Sequence, residues 1–148
     1  MPIENCVQAF EPYIALNSHV KKPVIHISLN PSPKDILSEE QMAVLAQEFM
    51  EKFGYGNQPY MVWLHEDINR KHMHIVSVRI NEKGEKIDHN REAVRAQNIC
   101  REMEVKYGLH PTLGEHGFFK RVSTRTGFSR SKFQLSYGTC LLYTSRCV

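Results

Sequence analysis

The sequence predicts an α+β fold in which an antiparallel sheet has helices packed on one of its faces. Two apolar segments, 60–65 and 72–80, are separated by a short polar stretch, and this pattern is typical of antiparallel pairing. A third segment, 23–30, is rich in β-branched residues and is bounded by prolines. Three further segments show the apolar periodicity of helices, so the helices are expected to form one layer against the sheet.

The first predicted helix covers residues 3–17, and the strand 23–30 follows it. The apolar stripe of this helix consists of Ile3, Val7, Phe10 and Ile14. Pro12 lies inside the helix and marks a possible kink. Residues 31–36 are predicted as a loop.

Ser38 is predicted to cap the second helix, because Gln41 stands three residues later in the capping-box position. The apolar stripe of this helix consists of Met42, Leu45, Ala46, Phe49 and Phe53. Gly54 and Gly56 end it. After the strands 60–65 and 72–80 and a turn at 81–84, a last helix is predicted over 92–107, and Gly108 stops it.

Composition excludes several classes of protein. The 148 residues suffice for one domain, and the 41% hydrophobic and 24% charged content is that of an ordinary globular chain. There is no apolar run of membrane-spanning length and no secretion signal, so we expect a cytoplasmic protein. A net charge of +3 permits a polyanionic partner without requiring one. The four cysteines lack metal-ligand spacing.

The C-terminal part of the sequence differs in character from the rest. Residues 140–148 back-translate to a DNA string that resembles a sequencing-library adapter followed by its reverse complement, so we expect an adapter scar and exclude them from fold prediction. Residues 123–139 are rich in Ser, Thr, Arg and Gly without periodicity. A frameshift and a flexible linker are equally good explanations for them. Residues 1–122 are taken as the domain.

A cluster of histidines is the strongest chemical signal. His72 and His74 alternate on one predicted strand and therefore share a face, while His65 ends the neighbouring strand. Three imidazoles converging on one divalent ion leave coordination positions open, as in catalytic metal sites. Asp67 is placed to accept a ring N–H from a ligating histidine. His26, on the first strand, is assigned a supporting or packing role.

Other readings of these residues stay open. A His-x-His pair on a strand is often only a solvated or hydrogen-bonded face. His26-x-Ser28 with His74 faintly resembles phosphoesterases that use two histidines as acid and base without metal, although the second hydroxyl is missing. A non-catalytic DNA-binding or zinc-stabilised module is a third possibility.

The ordered motifs resemble the relaxase/mobilisation nucleases of bacterial plasmids and integrated elements. The resemblance covers roughly residues 10–111. It is carried by FEPY at 10–13, PVIHISLNP at 23–31, GYGNQP at 54–59, the His65-x-Asp67 and His72-x-His74 motifs, and the helix that ends in KYGL at 106–109. Such enzymes nick one strand at a transfer origin and become linked to the 5′ phosphate through a tyrosine.

The resemblance implies a three-histidine (HUH-type) domain. It makes His65, His72 and His74 the metal ligands, with Mg²⁺ or Mn²⁺ as the ion and Zn²⁺ as an in vitro substitute. The implied partners are single-stranded DNA at a transfer origin and accessory mobilisation proteins.

The nucleophilic tyrosine of the family lies upstream of the segment matched by Phe10. We therefore expect this chain to lack it and to be unable to nick by the family's route. The tyrosines at 13, 55, 60 and 107 are expected to serve packing or helix roles.

Several side chains near the histidines are candidates for DNA contact. Arg70, Lys71 and Arg79 are predicted to contact phosphates, with a solvated loop as the equal alternative. Trp63 is able to stack on a base, but beside Val62 and Leu64 it is expected to be core.

Overall fold

The computed structural model describes residues 3–32, 34–67, 70–110 and 140–143. The elements within these ranges are α1 (Ile3–Ile14), β1 (Val24–Leu29), α2 (Glu39–Lys52), β2 (Tyr60–Asp67), β3 (Arg70–Val78), α3 (Glu92–Lys106) and β4 (Cys140–Tyr143). The predicted α+β class is confirmed. Within the described residues, no helix combines the length and the apolar composition that a membrane span needs.

The sheet is antiparallel, with strand order β1-β3-β2-β4, so β3 is an inner strand between β1 and β2. The β2–β3 ladder extends to the pairs Glu66–Lys71 and Asp67–Arg70, which the sequence pattern assigned to a loop. Backbone hydrogen bonds carry the ladder past the last apolar residue, since pairing does not need apolar side chains. Residues 140–143, which were excluded from the prediction, pair as β4 with the outer edge of β2.

One face of the sheet carries the main core, where α2 and α3 cover β1, β2 and β3. The strand residues of this core are Ile25, Ile27, Leu29, Tyr60, Val62, Met73 and Ile75. From α2 come Met42, Leu45, Ala46, Phe49 and Met50, and from α3 come Ala96, Ile99, Cys100 and Met103. The apolar stripe predicted for α2 is therefore the stripe that packs against the sheet.

The capping box predicted at the start of α2 is present. The Ser38 hydroxyl accepts a hydrogen bond from the Gln41 amide at 3.2 Å, and the Gln41 side chain accepts one from the Ser38 amide at 2.8 Å. Each bond satisfies a backbone donor near the helix start. The box fixes where α2 begins and therefore which of its residues face the sheet.

The position of α1 corrects the prediction that the helices pack on one face. Phe10 of α1 is buried against Met61, Val76 and Val78, which alternate with the main-core residues and so point to the opposite face. The second face thus carries an apolar patch of its own, and α1 covers that patch. The sheet is consequently enclosed by α2 and α3 on one side and partly by α1 on the other.

Candidate functional site

The face of the sheet that α1 covers in part also carries the histidines. Ser28 and Trp63 are the Cα partners of His74 on β1 and β2, and His26 and His72 lie two residues away along their strands. Side chains two residues apart on a strand share a face. We call this surface, formed by His26, Ser28, Trp63, His72 and His74, the histidine face.

Three imidazoles on this face are in close contact. Nε2 of His26 lies 2.9 Å from Nδ1 of His74, and these two rings are nearly parallel, with centroids 5.0 Å apart. The ring of His72 meets that of His74 edge-on, also at 5.0 Å between centroids. The prediction that His72 and His74 share a face is therefore confirmed, and His26 joins them.

The contact between His26 and His74 fixes the way in which His74 can bind a cation. A cation needs an unprotonated ring nitrogen as its ligand. Because Nδ1 of His74 is hydrogen-bonded to His26, the nitrogen that His26 does not engage is Nε2. If Nδ1 carries the proton and donates to Nε2 of His26, Nε2 of His74 is the unprotonated ring nitrogen, which is the kind of atom that a metal needs as its ligand.

The surroundings of His26 favour its neutral form. Burial lowers the pKa of His26, because a charged imidazolium is poorly solvated inside the protein. A neutral His26 can accept the Nδ1–H of His74 through its own Nε2, and this arrangement leaves His74 in the tautomer just described. The supporting role expected for His26 stays a prediction, which this hydrogen bond motivates.

The remaining members of the predicted site lie outside the described side chains. They are His65, Asp67, Arg70 and Lys71. The backbone pairs His65 with His72, and Asp67 with Arg70. Among the side chains that the structure does describe, no group of three His, Cys, Asp or Glu residues is arranged to hold a metal. His72 and His74 supply two of the three predicted nitrogen ligands, and the third is His65, so the three-histidine site stays a prediction.

The position of Arg79 corrects its predicted DNA-binding role. The guanidinium is only 5% exposed and forms a bidentate ion pair with the Glu92 carboxylate, at 3.0 and 3.1 Å. Arg79 follows β3 in the alternation of Met73, Ile75 and Ser77, so it turns toward α3 and not toward the histidines. A buried, paired guanidinium stabilises the contact with α3 and does not offer its charge to a phosphate.

Trp63, which was expected to be core, is partly buried and packs against the apolar patch under α1. Its neighbours Val62 and Leu64 pack into the main core, but Trp63 itself lies on the other face, opposite His74. The sequence does indicate which face Trp63 occupies, because residues 63 and 65 share a face of any regular strand. Val62 and Leu64 point to the opposite face of the strand, so their apolar character does not predict the surroundings of Trp63.

Comparison with known families supports the resemblance drawn from the motifs. The family model for the relaxase nuclease domain, MobA/VirD2-like, matches residues 2–109. This range contains α1 through α3 and the whole histidine face. Neither the curated proteins nor the solved structures give a significant match.

Proposed function

The chain belongs to the MobA/VirD2-like relaxases, and from this premise we propose that its histidine face is the metal- and DNA-binding surface of a strand-nicking nuclease domain. Members of this family bind single-stranded DNA at origins of transfer and generally use a divalent metal. The observation that carries the proposal is the contact of His74 with both His26 and His72 on one sheet face.

We assign the metal to His65, His72 and His74, in the HUH arrangement, with Mg²⁺ or Mn²⁺ as the ion. The supporting observations are the shared face of His72 and His74 and the backbone pairing of His65 with His72. Asp67 is proposed to orient a ligating imidazole, as His26 does for His74. When bound, the ion would stabilise negative charge on the scissile phosphate as a Lewis acid.

The reaction of the family is a transesterification. A tyrosine oxygen forms a bond to phosphorus while the bond from phosphorus to the 3′ oxygen breaks, and the departing oxygen takes up a proton. Tyr55 and Tyr60 are buried in the main core, Tyr107 donates to Glu48 on α2, and Tyr13 packs against the patch under α1. We therefore propose that none of these four tyrosines, all in the described part of the chain, is the nucleophile.

Thermal unfolding of the chain with and without Mn²⁺ tests the metal site. Mn²⁺ at about a hundred times its dissociation constant is expected to add roughly 2.7 kcal/mol to the free energy of unfolding. A variant with His72→Ala and His74→Ala should lose this gain. The control is His89→Ala, because His89 is exposed and lies outside the histidine face. An equal Mn²⁺ response in the parent and the double variant would exclude this site.

The structure disfavours the metal-independent phosphoesterase alternative. In that scheme, the substrate lies between two histidines that act as acid and base. Here His26 and His74 are hydrogen-bonded to each other at 2.9 Å with stacked rings, so a phosphate cannot lie between them. A folded chain that binds DNA without any metal response would support the non-catalytic module in place of the nuclease.

A further inference from the structure

Trp63 occupies a distinct position at the border of the histidine face. It packs on one side against the apolar patch under α1, which includes Phe10, Met61 and Val76. Its Cα partner on β3 is His74. Trp63 is only partly buried, so its packing against the patch restricts its motion while part of the residue stays exposed to solvent.

An aromatic side chain in this position has a clear chemical use. Unpaired bases stack on aromatic rings, and this contact tolerates any sequence because every base has a π face. Side chains directly opposite each other on paired strands have Cβ atoms about 4.5–5.5 Å apart. A nucleotide whose phosphate lies at His74 therefore has its base within reach of Trp63.

We infer that Trp63 is a stacking platform for an unpaired DNA base next to the phosphate held at the histidines. This inference rests on the proposed function and deepens it by naming a residue that selects single-stranded over duplex DNA. In a duplex, the bases are already stacked and paired, so the indole gains no contact with them unless they are unstacked. The contribution of Trp63 is to affinity for single strands and not to the choice of sequence.

Trp63 is the sole tryptophan of the chain, so tryptophan fluorescence reports on the stacking of this residue. The probes are an oligothymidylate of about 12 nucleotides and an abasic strand of equal length with the same phosphates, each added to the full chain with Mn²⁺. Stacking quenches the emission of Trp63 with the oligothymidylate and not with the abasic strand. Dye-labelled strands report affinity by anisotropy in the parent, Trp63→Leu and Trp63→Phe chains.

The expected pattern is specific to stacking. Trp63→Leu weakens binding of the oligothymidylate by about 5- to 100-fold and leaves binding of the abasic strand unchanged, while Trp63→Phe retains most of the affinity. Equal quenching by both strands, or equal affinity of the parent and the leucine variant, overturns the inference and leaves the proposed function intact. If neither strand binds the parent chain, the inference and the proposed function both fail. If Trp63→Leu does not fold, the comparison of the two strands on the parent chain decides the question.

Discussion

At the scale of single residues, the hydrogen bond between His26 and His74 has the most direct consequence for the site. Removing His26 leaves Nδ1 of His74 without this partner and frees the ring to rotate or to change tautomer. We therefore predict that His26→Ala weakens Mn²⁺ binding by about 10- to 100-fold, the usual effect of losing a hydrogen bond that orients a metal ligand.

Calorimetric titration of Mn²⁺ into the parent and His26→Ala chains measures this change. His19→Ala is a suitable control, because His19 is exposed and lies away from the histidine face. An unchanged dissociation constant in His26→Ala would show that His26 only fills space beside His74.

Tyr55 offers a prediction about stability. Its ring is fully buried, and its hydroxyl is the one buried side-chain polar atom in the described part of the chain that has no hydrogen-bond partner. Burial raises the pKa of Tyr55 to about 12, so the phenol stays neutral near pH 7. Since an unsatisfied buried donor is unfavourable by about 1–3 kcal/mol, we predict that Tyr55→Phe keeps or raises the free energy of unfolding.

Urea unfolding of Tyr55→Phe tests this prediction, with Tyr107→Phe as the matched control. Tyr107 donates its hydroxyl hydrogen to Glu48, so its loss is expected to lower stability slightly. A clear destabilisation by Tyr55→Phe would mean that the hydroxyl has a partner outside the described residues.

At the scale of elements, the ion pair of Arg79 and Glu92 joins the end of β3 to the start of α3. Both side chains are buried, at 5% and 8% exposure. Removing one partner leaves an uncompensated buried charge, so Arg79→Met or Glu92→Leu alone is predicted to destabilise by about 3–5 kcal/mol. The double variant should recover most of this loss, because two apolar side chains replace the pair.

Urea unfolding of the parent, the two single variants and the double variant forms a double-mutant cycle, which measures the interaction between Arg79 and Glu92. The folded double variant also provides a test of DNA binding, and its affinity for single strands should equal that of the parent. Weaker binding by a stable double variant would restore Arg79 as a DNA contact.

The contact between α2 and α3 predicts a dependence on pH. Hydrogen bonds from Lys106 and then from Tyr107 lower the pKa of Glu48, with Lys52 adding a smaller charge effect. A carboxyl group with a lowered folded-state pKa stabilises the fold above its unfolded value, near 4.5, and this contribution disappears as the pH falls through the folded value. We predict that Glu48→Gln is less stable than the parent at pH 7 and that the difference narrows toward pH 3.

Urea midpoints at pH 7, 5 and 3 measure this difference. Glu102→Gln is the control, because Glu102 is exposed and forms an ion pair with Lys52 only at the surface. A difference in urea midpoint between Glu48→Gln and the parent that stays constant from pH 7 to pH 3 would contradict the proposed link between the Glu48 carboxylate and stability.

At the scale of the whole molecule, the sequence predicted the helices and strands better than it predicted which face of the sheet each helix or side chain occupies. The capping box at Ser38 and the alternation of His72 with His74 are local patterns, and both were predicted correctly. The side of the sheet that α1 covers was not, because a helical stripe shows that a helix is packed without naming its partner. The burial of Arg79 likewise depends on Glu92, thirteen residues away, and no local pattern links the two.

The same architecture predicts two units of unequal stability. The patch under α1 is small, whereas the core under α2 and α3 is large, so α1 is expected to open locally while the rest stays folded. Phe10→Ala removes the buried ring that attaches α1, with a predicted loss of about 3–5 kcal/mol confined to α1. Amide exchange should then accelerate in α1 and not in α2, whereas Phe49→Ala, in the main core, should accelerate exchange in both. Acceleration throughout the sheet and α2 after Phe10→Ala would instead mean that both faces of the sheet unfold as one cooperative unit.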